Sequence, residues 1–141
     1  MEFERLRLAA ENLGKGRPLA FMLTMGDPVM RKARSAFSCN FFACGGYQVI
    51  DNPGFDTANE GVKTAIDAKA DIVVLCSSDE EYATLAPTVA RLLQNKAIFV
   101  VAGAPDCMPD LRKQGIENFI HVRSDVLDTL KEFHQKLGIK L

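Results

Sequence analysis

An apolar run of strand length, Leu19 to Thr24, leads directly into the turn residues Gly26-Asp27-Pro28 and then into a helical pattern. Four further strand-like segments follow, and a segment with helical periodicity separates each from the next. Regular alternation of strands and helices predicts a parallel sheet, because each helix carries the chain back to the end at which the next strand begins. We therefore expect a sheet with helices packed on both of its faces.

The later strands are recognised as runs of apolar and β-branched residues between turn signals. They are predicted at Tyr47 to Ile50, Ile72 to Cys76, Ala97 to Ala102 and Asn118 to Val122. Right-handed crossovers then favour the flavodoxin-like order 2-1-3-4-5 for a five-stranded, doubly wound α/β domain. In this order the usual ligand crevice lies between the first and third strands, at their carboxyl ends.

The first helix is predicted between the Gly26-Asp27-Pro28 turn and the Gly45-Gly46 stop. An apolar stripe with a period of 3.6 residues indicates it. The stripe consists of Val29, Ala33, Ala36, Phe37, Phe41 and Cys44. Arg31, Lys32 and Arg34 fall mainly on the outer side of this helix, so the sequence predicts a basic, solvent-facing surface there.

The remaining helices are marked by their cap and stop residues. Thr57 and Glu60 form the ends of a capping box that opens the second helix. Ser78 stands before three acidic residues and is expected to cap the third helix, since acidic side chains favour a helix N-terminus. A short helix is expected to end at Gly115, and Ser124 is expected to cap the last one.

Length and composition fit one globular domain. The 141 residues are 48% apolar and 25% charged, and their formal net charge is −1. So small a net charge gives no electrostatic preference for nucleic acid or for an anionic membrane. Residues 1–16 are interpreted as an arm or linker, and residues 17–141 as the α/β domain. Since no charged and then apolar leader begins the chain, we expect it in the cytoplasm.

Metal and redox chemistry have little support in the sequence. The four cysteines lack a CxxC pair or any other ligand spacing, and neither His121 nor His134 lies near one of them in sequence. We therefore expect buried, reduced thiols and no metal site. His121 falls in the pattern of the fifth strand and His134 on the inner side of the last helix, so both are expected to be core or rim residues.

The first loop does not match the common nucleotide-binding motifs. Met25-Gly26-Asp27-Pro28 has a single glycine where a dinucleotide fingerprint needs three, and the sequence contains no GxxxxGK[ST] loop. Asp27 beside Pro28 is better explained as a turn and N-cap residue than as a general base. No nucleophile and base, and no pair of carboxylates, are spaced in a way that indicates catalysis.

Five stretches stand in order between residues 3 and 82: Phe3 to Arg7, Arg34 to Phe37, Asn40 to Gly46, Asn52 to Gly54 and Val74 to Tyr82. Together they resemble the C-terminal cobalamin-binding-like domain of methylmalonyl-CoA mutase, in the form carried by the small subunit of heterodimeric mutases. No single stretch is a short, sharp motif, and the specificity lies in the ordered set. The resemblance implies the same flavodoxin-like fold that the periodicity predicts.

Cobalamin-binding members of this family carry DxHxxG in the first loop, and its histidine is the lower axial ligand of cobalt. When the first helix is aligned through Phe37, Thr24 takes the Asp position, Gly26 the His position and Val29 the Gly position. Glycine has no side chain to reach a metal, and threonine cannot supply the carboxylate that orients an imidazole. Valine would also crowd a close backbone approach that glycine permits.

The other family signatures are changed as well. Ser77 and Ser78 stand where the resemblance implies a hydroxyl-rich loop beside the nucleotide tail, and Gly103 and Ala104 stand in place of a Gly-Gly pair. A simpler explanation is that the two serines are turn and cap residues, because serine commonly caps helices. The candidate site is thus a vestigial crevice of seven residues, the crevice residues: Thr24, Gly26, Val29, Ser77, Ser78, Gly103 and Ala104.

The resemblance implies a component of an adenosylcobalamin-dependent isomerase whose partner is the large, catalytic subunit. We expect a degenerate domain that binds no cobalamin and has a structural role in the heterodimer, with no catalysis of its own. The alternative is a working corrinoid carrier that supports isomerisation of methylmalonyl-CoA and succinyl-CoA. A third hypothesis, an independent small enzyme or flavin carrier, ranks below both. The arm, through Phe3 and Leu6, and the crevice mouth are the candidate partner contacts.

Overall fold

The computed structural model describes residues 8–9, 18–52, 54–121 and 124–137. Five parallel strands form a single sheet in the order β2-β1-β3-β4-β5. Their bounds are β1 (Leu19–Thr24), β2 (Gln48–Ile50), β3 (Ile72–Cys76), β4 (Ile98–Ala102) and β5 (Asn118–Ile120). The predicted flavodoxin-like α/β class and strand order are confirmed, and β1 and β3 have the predicted bounds.

Within the described ranges, five helices connect and cover the strands. They are α1 (Pro28–Ala43), α2 (Ala58–Asp67), α3 (Asp79–Leu93), α4 (Met108–Lys113) and α5 (Val126–Lys136). Asp27 and Thr57 cap α1 and α2 through side chains that accept the backbone N–H groups of Met30 and Glu60.

The cap of the last helix differs from the prediction. Asp125, not Ser124, caps α5 by accepting the N–H of Asp128, while the Ser124 hydroxyl accepts the N–H of His121. Both residues are good helix caps, and the sequence alone does not decide between neighbours of this kind.

Each face of the sheet carries its own apolar core. Strand residues alternate between the faces, so Phe21, Leu23 and Val73 pack under α2 and α3, whereas Met22 and Val74 pack under α1 and α5. All five residues of β3 are fully buried, which suits a central strand covered on both sides.

α1 is rotated relative to its predicted orientation. The predicted stripe residues Val29, Ala33 and Ala36 are exposed, Val29 by 75%, whereas Ser35 and Ser38 are buried. The prediction was wrong because small hydroxyl side chains let the helix lie close to the sheet, and the Ser35 hydroxyl is hydrogen-bonded to the Asp51 carboxylate. The face that contacts the sheet is therefore partly polar, and basic residues beside it reach the strand ends.

Within the described part of the chain, no helix is both long and apolar enough to span a membrane. The predicted arm falls almost entirely outside the described residues, which include only Leu8 and Ala9 from it. The proposed contacts of Phe3 and Leu6 lie outside the described residues too.

Candidate functional site

The carboxyl ends of β1 and β3 lie side by side at the predicted crevice. Thr24 is paired with Cys76, and the N–H of Met25 donates to the Cys76 carbonyl at 3.1 Å. From this point the chain continues into α1 on one face of the sheet and into α3 on the other. The switch in strand order therefore brings the loops after β1 and β3 together, as the sequence predicts.

The residues from the first loop occupy three different environments. Thr24 is buried, and its hydroxyl donates to the carbonyl of Asn52 at 3.0 Å, which ties the loop after β2 to the end of β1. Gly26 is exposed and has a φ of 77°, a conformation that favours glycine. Val29 is the second residue of α1, and its side chain lies in solvent.

The residues from the other two loops lie at the ends of β3 and β4. Ser77 is fully buried, and its hydroxyl has no hydrogen-bond partner among the described residues. Ser78 occupies the N-cap position of α3, but its hydroxyl donates to the Glu81 carboxylate at 2.7 Å and makes no cap bond. Gly103 is buried with a φ of 138°, and Ala104 beside it is exposed.

A carboxylate from α3 fills the space beside Gly26. Glu81 Oε1 accepts the N–H of Asp27 at 2.8 Å, and a β-carbon placed on Gly26 would overlap the carboxylate group. The lack of a side chain at Gly26 is thus what allows Glu81 to reach the first loop. Any larger residue at this position requires the Glu81 side chain to move.

An arginine from α1 fills the corresponding space beside Gly103. Arg34 Nη1 donates to the Ala102 carbonyl at 3.0 Å, and Nη2 forms an ion pair with Asp79 Oδ1 at 2.8 Å. A β-carbon on Gly103 would overlap this guanidinium group. Glu81 therefore extends from α3 to the loop before α1, and Arg34 extends from α1 to α3 and the end of β4. Together they close the crevice with charged groups from the chain itself.

Arg31 makes a similar contact with the loop after β2. Its Nη1 donates to the Gly26 carbonyl at 3.3 Å, and its guanidinium lies against Gly54, whose φ is 139°. Arg31, Arg34 and Glu81 are not among the predicted site residues, since the helical pattern assigns the arginines to an outer face and the glutamate to the helix dipole. Periodicity indicates which side chains leave the core, but it does not indicate which distant loop they contact.

The hydrogen bonds around Glu81 favour its charged form. The N–H of Asp27 contributes most to lowering the pKa of Glu81, and the Ser78 hydroxyl comes next. A carboxylate whose pKa is lower in the folded state adds stability above its unfolded pKa, and that stability is lost as the pH falls through the folded value. At neutral pH Glu81 is therefore an ionised, hydrogen-bonded group.

The floor of the crevice is neutral and fixed by a buried tyrosine. The Tyr82 hydroxyl accepts the N–H of Ser77 at 3.0 Å and donates to the carbonyl of Ala102, the same carbonyl that Arg34 contacts. Burial raises the pKa of Cys76, at the end of β3, to about 12, so this thiol is protonated and unreactive at neutral pH.

We expect Tyr82→Phe to lower the free energy of unfolding by about 1–3 kcal/mol, because the buried N–H of Ser77 and the carbonyl of Ala102 each lose a partner. Urea titration of the two proteins measures the difference. A variant as stable as the wild-type chain would show that this hydroxyl does not hold the ends of β3 and β4 together.

The residues at the first loop do not fit cobalamin ligation through a protein imidazole. Gly26 stands at the histidine position, and the adjoining space holds Glu81. His134 is fully buried on α5, with Nδ1 2.9 Å from the Tyr47 hydroxyl. His121 follows β5, three strand spacings or about 14 Å from β1. Among the residues that the structure describes, no cluster of three His, Cys, Asp or Glu side chains suits a metal ion.

A separate cleft of about 790 Å³ lies at the opposite, amino edge of the sheet. It is bordered by the beginnings of β3, β4 and β5 and by the end of α5. Its charged lining includes Asp71, Arg91, Lys96 and Lys136. None of the crevice residues borders this cleft.

Fold and site together define a flavodoxin-like α/β domain whose carboxyl-edge crevice is filled by its own side chains. The chain is 59% identical, over 139 residues and 99% of its length, to the methylmalonyl-CoA mutase small subunit of Porphyromonas gingivalis. It is also 33% identical, over 79 residues and 56% of its length, to a protein of the same name from Streptomyces virginiae. The resemblance to mutase small subunits that the sequence indicated is confirmed. No protein-family model matches the chain.

These matches cover only part of the relatives. The chain spans 22% of the length of the Porphyromonas protein, and the match to the Streptomyces protein spans 13% of that protein. The activity and partners of the relatives therefore enter as proposals for this chain.

Proposed function

We propose that this chain is the cobalamin-binding-like domain of a methylmalonyl-CoA mutase small subunit, and that it supports assembly with the large subunit without binding cobalamin. The observation that carries this proposal is the contact between Glu81 and Gly26. The space from which a ligating side chain would project is taken by a carboxylate that bonds to the loop itself. In this proposal the cytoplasmic heterodimer performs the isomerisation, and this domain performs none.

The retained scaffold supports a structural role. Both faces of the sheet are covered by helices over buried apolar cores, and three charged side chains fix the loops at the carboxyl edge. A domain that had lost both ligand and role would have no need of this network. Residues 1–16 serve in the proposal as an arm that leads into the domain of residues 17–141. No nucleic acid or membrane takes part.

The test uses the Porphyromonas small subunit as a host. Its region that matches this chain is replaced by residues 1–141 or deleted, and each form is coexpressed with the large subunit. We expect the replacement to yield an active heterodimer and the deletion to reduce the yield of heterodimer. The corrinoid content of each assembled heterodimer is expected to be the same in both.

The competing function, a working corrinoid carrier, gives a different result. Deletion would then lower the corrinoid content of each heterodimer, and the chain alone would bind added cobalamin. As a further control, the purified chain supplied with adenosylcobalamin is expected to show no mutase activity. Activity in the isolated chain would contradict the proposal outright.

A further inference from the structure

We propose that the Glu81 carboxylate is an intramolecular ligand of an anion-binding cradle at the carboxyl edge, and that a small carboxylate such as formate enters this cradle when the Glu81 side chain is removed. The inference deepens the proposed function and rests on it, because it concerns the same closed crevice. The cradle is formed by the N–H of Asp27, the hydroxyls of Ser77 and Ser78, and the open side of Gly26.

Two donors from separate elements meet at one carboxylate oxygen. The N–H of Asp27, in the loop before α1, lies 2.8 Å from Glu81 Oε1, and the Ser78 hydroxyl, at the start of α3, lies 2.7 Å from it. The second oxygen, Oε2, would overlap a β-carbon placed on Gly26. The loop and the helix therefore enclose the carboxylate from both sides.

A third donor adjoins the same carboxylate. The Ser77 hydroxyl is fully buried and makes no hydrogen bond of normal geometry with the described residues, although it helps to lower the pKa of Glu81. A buried hydroxyl without a partner is costly, so the position favours a ligand with a free acceptor. A carboxylate that is not tethered to α3 is able to turn an oxygen toward it.

Electrostatics and tethering explain why the wild-type chain keeps the cradle filled. The N-terminus of α3 has a partial positive charge, and its N-cap side chain does not satisfy the helix N–H groups. Neighbouring acidic groups oppose an anion from solution, although Asp79 is offset by its ion pair with Arg34. A carboxylate delivered by α3 itself is present at high effective concentration, and it excludes a weakly bound competitor.

The experiment compares the full chain with its Glu81→Ala and Glu80→Ala variants. Urea unfolding is measured with increasing sodium formate, and sodium chloride at equal ionic strength corrects for screening. We expect formate to lower the unfolding equilibrium constant of Glu81→Ala in a saturable manner, about tenfold at about ten times its Kd. The wild-type chain and Glu80→Ala, which loses an exposed carboxylate from the same turn, are expected to respond alike to the two salts.

Equal effects of formate and chloride on Glu81→Ala would overturn the proposal, and so would an equal formate effect on Glu80→Ala. If Glu81→Ala does not fold in buffer alone, its refolding yield in formate is compared with its yield in chloride. Equal yields would overturn the proposal. The assay contains no corrinoid and no large subunit, so its failure leaves the assembly role intact. Cobalamin binding by the wild-type chain would instead overturn the proposed function.

Discussion

Gly26→His, which places a ring at the position that the first-loop alignment assigns to the cobalt-ligating histidine of cobalamin-binding domains, is expected to destabilise the chain by about 2–4 kcal/mol. The φ of 77° at Gly26 costs a side-chain-bearing residue about 1–2 kcal/mol. The new side chain also displaces the Glu81 carboxylate from the N–H of Asp27 and the hydroxyl of Ser78, which are charge-assisted bonds. Urea titration at neutral pH measures the loss.

Gly115→His is the matched control. Gly115 has a φ of 90°, but nothing lies within 4 Å of a β-carbon placed there. A histidine at this position adopts a similarly unfavourable backbone conformation but overlaps no neighbouring group. We therefore expect its free energy of unfolding to fall by about 1–2 kcal/mol. Equal losses for the two variants would mean that Glu81 does not obstruct the first loop, and the central claim would fail with it.

Phe42→Ala is expected to cost about 3–5 kcal/mol, the larger of the two effects. Phe42 is fully buried at the end of α1, and its ring centroid lies 5.4 Å from that of Phe41 and 5.5 Å from those of Tyr47 and Phe133. Removal of this ring leaves a cavity under the helix that lines one side of the crevice. The free energy of unfolding of the variant measures how tightly that side is packed.

Phe37→Ala controls for the loss of an aromatic ring from the same helix. Phe37 is half-buried and lies one turn earlier, 5.9 Å from Phe41 between ring centroids. Since this substitution removes less apolar surface from the core, we expect it to lower the free energy of unfolding by about 1–2 kcal/mol. If Phe37→Ala cost as much as Phe42→Ala, the packing under α1 would be looser than the structure indicates.

The sequence predicts the five strands from local pattern, although β2 (Gln48–Ile50) and β4 (Ile98–Ala102) begin one residue later than predicted and β5 (Asn118–Ile120) ends before the predicted Val122. β1 and β3 are continuous apolar runs with a turn at one end, and both have the predicted bounds. The strand order follows from the handedness of the crossovers, which is a general property of βαβ units. These features depend on local pattern, so one sequence is enough to find them.

The orientation of α1 and the contacts that close the crevice depend on tertiary structure. Two alanines look apolar in a periodic stripe but are exposed, whereas Ser35 and Ser38 are buried because one has a partner and both are small. Arg34 meets a residue 45 positions away, and Glu81 a residue 54 positions away. No periodicity encodes such pairs, so the sequence did not predict that Arg34 and Glu81 fill the space between these loops.

The most direct test of the account is a titration of the purified wild-type chain with hydroxocobalamin, followed by its visible spectrum and by gel filtration. Because Glu81 and Arg34 occupy the crevice between the first and third strands, we predict an unchanged spectrum and no corrinoid in the protein fraction. A stoichiometric complex with a shifted spectrum would contradict the claim that this crevice is closed.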